Sequence, residues 1–292
     1  MKNNAPLVSK DTLIPFVLLT ICFAAWGVAA NMTDPLVKVF SKIFTMSSLQ
    51  SALVQFAYYG AYFCLAIPAA FINKRFSYKT GVLTGLGCAA AGAFLFYPAS
   101  QTMTYGFFLA ALFVLAGGLS ILETSANPYV MAMGNQKSAT RRLNLAQAFN
   151  PVGTNLGVFL AATLILPNLN QASAQERAAM SVSELKNVIG AELDAVMLPY
   201  VGMACVLVLV WVAIFLIKAP IQESVESSVE DVKLGASLKR LVANKHYRFG
   251  VLAQFFNVGA QTCVWTFTIQ YAMKATGGNE VSGGEILQYS MI

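Results

Sequence analysis

Long apolar runs dominate this chain, at about 13–37, 49–71, 80–99, 103–133, 143–166, 196–217 and 247–272, with another beginning near Gly284. A helix needs about 20 predominantly apolar residues to cross a hydrocarbon core, and the runs are of that order. Composition agrees, with 57% hydrophobic and 11% charged residues, against about 25% charged in an ordinary soluble domain. The expected fold class is an all-α polytopic membrane protein. Lys2 and Lys10 ahead of the first run and Val28-Ala29-Ala30 near its end resemble a signal peptide. That run is longer than an h-region of about 7 to 15 residues, and six more follow, so it reads as a retained span. The final run is still open at Ile292 with no polar tail after it. The chain therefore reads as a truncated, N-terminal portion of a longer protein.

Charge placement predicts the orientation. Fourteen basic residues, Lys74, Arg75, Lys79, Arg141 and Arg142 among them, fall before the first run or after runs two, four and six, against five on the opposite side, and 14 and 5 make up the 19 Lys and Arg. The positive-inside rule puts the N-terminus and the even-numbered connections in the cytoplasm. The basic clusters read as surface anchors, and the net charge of +6 needs no nucleic acid to explain it. The connection 167–195 reads as an outer spacer. The connection 218–246, acidic from Glu223 to Asp231 and basic from Lys233 to Lys245, reads as a boundary between bundles. The expected organisation is a six-helix bundle at 1–217, a central cytoplasmic loop at 218–246, and the start of a second bundle at 247–292. Cys22, Cys64, Cys88, Cys205 and Cys263 are scattered without a CxxC pair, and His246 stands alone, so neither a metal nor a disulfide is indicated. An enzyme would need a nucleophile–base or metal constellation, and these residues do not supply one.

Of the 13 acids, Asp34 and Glu123 fall well inside apolar runs. A charge at mid-bilayer costs about 2.5 to 3.5 kcal/mol even on the mildest scale, so such groups face a wet pathway or a partner. Within ILETSANPYV, Ser120, Glu123 and Asn127 share a helical face at i, i+3 and i+7, just before Pro128, which is expected to loosen the helix. Asn31 stands at i, i+3 with Asp34. Gln55, Tyr59 and Tyr62 form a stripe in run two, and Gln147, Asn150 and Thr154 form one in run five, where Pro151 interrupts the helix. Run seven carries Asn257, Gln261, Trp265 and Thr268. An aromatic ring beside amides suits a sugar, whose C–H faces stack on the ring while the amides meet its hydroxyls. The plainer alternatives are interhelical hydrogen bonds, interfacial tyrosines and a lipid-facing Trp265. The glycines and alanines of run three, from Gly81 to Gly92, lack the strand context of a nucleotide loop and predict close helix packing instead.

The blocks LETSANPYV (122–130), RLNLAQAFNPVG (142–153) and VLAQFFNVGAQTCVW (251–265) carry a resemblance that covers nearly the whole chain. The chain resembles the sugar:proton symporters of the major facilitator superfamily, and within them the L-fucose permease family. TDPLV (33–37) matches less well, since Ala30-Asn31 and Thr33-Asp34 stand where the family has a denser set of asparagines. The resemblance implies two six-helix bundles with the site between them, Asp34 and Glu123 in proton coupling, and Glu123 in sugar recognition. It implies L-fucose import by symport, with a proton as coupling ion and no cofactor, in a bacterial inner membrane, by a protein that is a monomer at full length. Glucose and galactose carriers of the family tend to have Gln at the position of Glu123, so Glu favours fucose. Sugar contacts are expected from Glu123, Asn127, Asn31, Tyr59, Gln147, Asn150, Asn257, Gln261 and Trp265. A glucose/galactose carrier, a drug antiporter and a non-transporting sugar sensor are the competing readings.

Overall fold

The computed structural model describes residues 7–8, 10–33, 35–217 and 234–290, and among them every regular element is helical. Six helical spans are long and apolar enough to cross a membrane: Leu13–Ile43, Leu49–Arg75, Tyr78–Thr102, Tyr105–Ala132, Gln136–Asn168 and Val182–Leu216. These coincide with the first six apolar runs, and the chain is a multi-pass membrane protein. A seventh helix, Lys245–Thr276, and a shorter one, Glu280–Ser290, follow. Large apolar side chains such as Phe63, Phe56, Leu209 and Leu216 stand exposed, as hydrocarbon requires of lipid-facing positions.

Prolines punctuate the spans. The first consists of Leu13–Met32 and Leu36–Ile43, with Pro35 at the join, and Asp34 lies outside the described residues. The fifth breaks at Ala148, between Ala139–Gln147 and Phe149–Leu160, where Pro151 has no N–H to offer the Gln147 carbonyl. It then relaxes into a π-helical turn at Ala161–Ile165. Pro128, expected to loosen the fourth span, instead sits inside a continuous helix.

Glycine sets how closely the spans approach. The third and fourth spans share the most extensive packing, followed by the first with the fifth and the second with the fourth. A Cβ on Gly85 would fall 2.5 Å from the Leu122 nitrogen, and one on Gly92 would fall 2.2 Å from that of Leu115. At Gly153 it would fall 2.0 Å from the Ala24 carbonyl oxygen. Backbones this close exclude any larger residue, so the small-residue reading of run three holds. The sixth span joins through Trp211, whose Nε1 donates to Leu83 O at 2.9 Å, and through Tyr200 stacked on Phe96 at 3.9 Å.

Three expectations are corrected. Arg142 is not a surface anchor: its side chain is fully buried and donates to the carbonyls of Val130 (3.2 Å), Met131 (2.6 Å), Asn135 (3.1 Å) and Leu7 (3.2 Å) and to Ser138 Oγ (2.6 Å). A helix ends with unpaired carbonyls, and this guanidinium satisfies those of the fourth span. Lys79 does the same for the sixth through Phe215 O and Ile217 O. The connection 167–195 is not a spacer. The sixth span begins at Val182 rather than near 196, adding roughly 20 Å of helix, and Glu192 on that extension forms a buried ion pair with Arg177. In the connection 218–246, residues 234–243 form a helix rather than a loop, and 218–233 lie outside the described residues.

Candidate functional site

The polar stripes of the first, second, fourth and fifth spans face one another, because glycine contacts draw the first span against the fifth and the second packs on the fourth. Trp26 Nε1 donates to Tyr62 Oη at 2.7 Å, tying the first span to the second. Ser120 Oγ donates to Tyr62 O at 3.4 Å, and the Glu123 carboxyl lies within electrostatic reach of Tyr62. Phe23 meets Trp26 edge-on, and Tyr58 packs on both Tyr62 and Tyr59, which gives a row of ring faces. Glu123 itself is half-buried, and among the described residues no group hydrogen-bonds to it. An acid set beside aromatic rings with its oxygens unclaimed has acceptor capacity for a ligand hydroxyl or a proton.

The amides lie alongside. Asn127 Oδ1 accepts from Gln147 Nε2 at 2.9 Å, joining the fourth and fifth spans. Asn150 Nδ2 donates to Phe23 O at 3.4 Å. Asn31 is buried and committed, donating to Gly27 O and to Thr154 Oγ1, both at 3.0 Å. Tyr59 is 37% exposed. The structure thus gathers Glu123, Asn127, Gln147, Asn150, Asn31 and Tyr59 onto neighbouring faces of one bundle. Asn257 and Gln261 are not gathered in. Both are exposed on the seventh helix, which packs on the first span at Leu36–Ile43. Of Asp34 nothing is described, and of Trp265 only its place in that helix.

Trp26, Tyr62 and Ser120 belong to the cluster, although none was singled out as a site residue from sequence. Tyr62 had a visible signal, its place on the stripe with Gln55 and Tyr59. Trp26 stands with Phe23 one to three turns ahead of Asn31 and Asp34 in run one, but its partner is 36 residues away and no local pattern points to it.

The family model for the Major Facilitator Superfamily matches residues 17–288. The chain belongs to the Major Facilitator Superfamily. It is 42% identical over 287 residues to the L-fucose-proton symporter of Haemophilus influenzae, covering 94% of this chain and 66% of that protein. It is 35% identical over 258 residues to a glucose/galactose transporter of Brucella abortus, covering 88% of this chain and 58% of the relative. The chain spans less than two thirds of the length of these relatives. A crystal structure of FucP, a transporter of this superfamily in the outward conformation, superposes with a TM-score of 0.78 at 39% identity, over 97% of this chain and 69% of that one. In secondary transporters built from repeats, sites lie at the interface between repeats, where irregular or interrupted helices gather polar groups. The proline-interrupted first and fifth spans have that character.

Proposed function

We propose that the protein imports L-fucose, or a closely related monosaccharide, together with a proton, by alternating access. The observation that carries this reading is Glu123: an acid with no hydrogen-bonding partner among the described residues, set between the Trp26–Tyr62 pair and the Asn127–Gln147 pair. Sugar hydroxyls would bond to the carboxyl and to Asn127, Gln147 and Asn150, while C–H faces rest on the rings, including Tyr59. Asn31, expected from sequence among the sugar contacts, is instead buried with its NH2 group bonded to Gly27 O and Thr154 Oγ1, and holds the first and fifth spans together. A carboxyl whose surroundings alternate between dry and wet can take up a proton in one state and release it in the other. Bonding of the sugar to that carboxyl would couple the two cargoes. Asp34 shares proton coupling in this reading, and Asn257, Gln261 and Trp265 complete the sugar site from the seventh helix. The proton is the coupling ion and no cofactor takes part. The protein sits in a bacterial inner membrane with its N-terminus inside. Residues 1–217 form its first bundle, 218–246 the connection and 247–292 part of a second bundle, and the whole works as a monomer.

The likeness to the glucose/galactose transporter favours a second reading with those sugars as cargo. Adding L-fucose, D-galactose or D-glucose to lightly buffered vesicles holding the full-length protein separates the two. Alkalinisation of the medium on L-fucose addition supports the first reading, and a response to galactose or glucose alone supports the second. Sugar binding without any proton movement would indicate a sensor.

A further inference from the structure

We propose that Asn73 is a positioning residue for the Glu123–Asn127 segment, its side-chain amide supplying the hydrogen bond that Pro128 cannot. The inference deepens the symport reading and rests on it for its functional part. Pro128 lies inside the continuous helix Tyr105–Ala132. Proline has no backbone N–H, so the carbonyl four residues earlier, that of Thr124, loses its helical donor. Asn73, on the second span, places Nδ2 3.2 Å from Thr124 O. The helix stays continuous past the proline because a neighbouring span supplies the missing donor, one of the ways membrane helices tolerate proline.

The surrounding geometry is built for this contact. A Cβ on Gly81 would fall 2.1 Å from Asn73 Oδ1 and 2.2 Å from Ser125 Oγ, so a larger residue on the third span would have to push the Asn73 amide or the Ser125 hydroxyl aside. Ser125 Oγ turns back to Ile121 O at 2.7 Å, reinforcing the same stretch of helix. Asn73 Oδ1 is buried with no hydrogen-bond partner. An unsatisfied buried acceptor is unfavourable, so the amide is kept here for what its NH2 group does. Thr124 follows Glu123 directly and precedes Asn127 by three residues. The direction of the helix at this carbonyl therefore sets where both side chains point.

The test pairs a near-isosteric loss of the donor with restoration of the backbone donor. Asn73→Leu in the full-length protein should speed amide hydrogen exchange across residues 121–127 by about tenfold, the scale of one lost hydrogen bond. It should also move the pH midpoint of L-fucose-evoked proton uptake by about half a unit or more. Pro128→Ala returns an N–H to the Thr124 carbonyl, so Asn73→Leu added to Pro128→Ala should leave both readouts near those of Pro128→Ala alone. Unchanged exchange in Asn73→Leu, or equal effects with and without Pro128→Ala, overturns the proposal. Faster exchange with an unmoved pH midpoint makes Asn73 a structural bond only and also overturns it. Should Asn73→Leu fail to accumulate, recovery of protein in the double variant supports the proposal and its absence overturns it. If the wild type itself moves no protons with sugar, the symport reading fails, while the exchange measurements still decide whether Asn73 holds the segment.

Discussion

Glu123 and Glu192 are both acids on membrane-spanning helices, and the structure treats them in opposite ways. Glu192 is 1% exposed and fully matched: Arg177 meets it with two guanidinium nitrogens, and the Asn170 N–H donates to Oε1 at 2.9 Å. Four of the five N–H donors of Arg177 are engaged, since it also reaches Ala172 O and Asn170 O at 3.3 Å each. Glu123 is half-buried, and among the described residues its oxygens accept no hydrogen bond. The first acid is closed off and already accepts three hydrogen bonds, and the second accepts none among the described residues. Burial alone therefore does not mark a functional carboxylate. What marks it is unspent hydrogen-bonding capacity among groups that suit a substrate.

The largest effect that would break this contrast is at Glu123. Glu123→Gln keeps the shape and can still bond a hydroxyl, but it cannot cycle a proton. Uphill accumulation of labelled L-fucose under an imposed pH gradient should fall to background, and accumulation at the wild-type level would end the proton role. The counterpart at the matched acid is Arg177→Met, which strands a buried carboxylate. Removing one partner of a buried pair costs about 3 to 5 kcal/mol, so thermal unfolding in detergent should drop markedly. Apparent sugar affinity in the surviving protein should not change. A lowered affinity with unaltered stability would reverse the roles assigned to the two acids.

Where the signal was periodic and local, the sequence was enough. Run length gave six spans, the glycines and alanines of run three gave close packing there without naming its partner, and the i, i+3, i+7 arrangement of Ser120, Glu123 and Asn127 gave the face that does meet Tyr62 and Gln147. What escaped depended on partners distant in the chain. Arg142 looks like any inside-facing cation until the fourth span's C-terminal carbonyls, 11 and 12 residues earlier, fold over it. Arg177 and Glu192 sit in a polar stretch that reads as solvated, and nothing in that pattern says the two are 15 residues apart in order to be buried together. Pro128 misled for a similar reason, since its effect is cancelled by an asparagine 51 residues from Thr124.

A smaller effect tests the aromatic side of the cluster. Tyr62→Phe removes the acceptor for Trp26 Nε1, a single bond of 2.7 Å, and leaves the ring in place. One hydrogen bond contributes about 0.5 to 1.5 kcal/mol net, so apparent L-fucose affinity should weaken severalfold while the fold survives. Equal affinity in equilibrium binding would mean that the Trp26–Tyr62 pair does not hold the ring at which sugar is received.

The smallest effect lies at the hairpin that carries the matched acid. Ser173 caps the helix Ala174–Ala179, its hydroxyl accepting from the Glu176 N–H at 3.3 Å, and the Glu176 carboxylate accepts in return from the Ser173 N–H at 2.6 Å. The Ser173 backbone N–H, followed by its side chain, holds the Glu176 carboxyl below the usual carboxylate range. A depressed folded value means that the bonus is present above the unfolded carboxyl's pKa and is lost as pH falls through the lower folded one. The helix that bears Arg177 therefore keeps its cap at mildly acidic pH. Ser173→Ala should lower stability modestly at neutral pH, and its deficit against the wild type should narrow as the medium is acidified and Glu176 protonates in both proteins. The pH dependence of sugar-evoked proton uptake should be the same in the two, because the cap lies on the hairpin and not among the groups around Glu123. A shifted uptake profile in Ser173→Ala would show that this hairpin and the Glu123 cluster are energetically coupled, and the separation of a structural acid from a working one would then have to be given up.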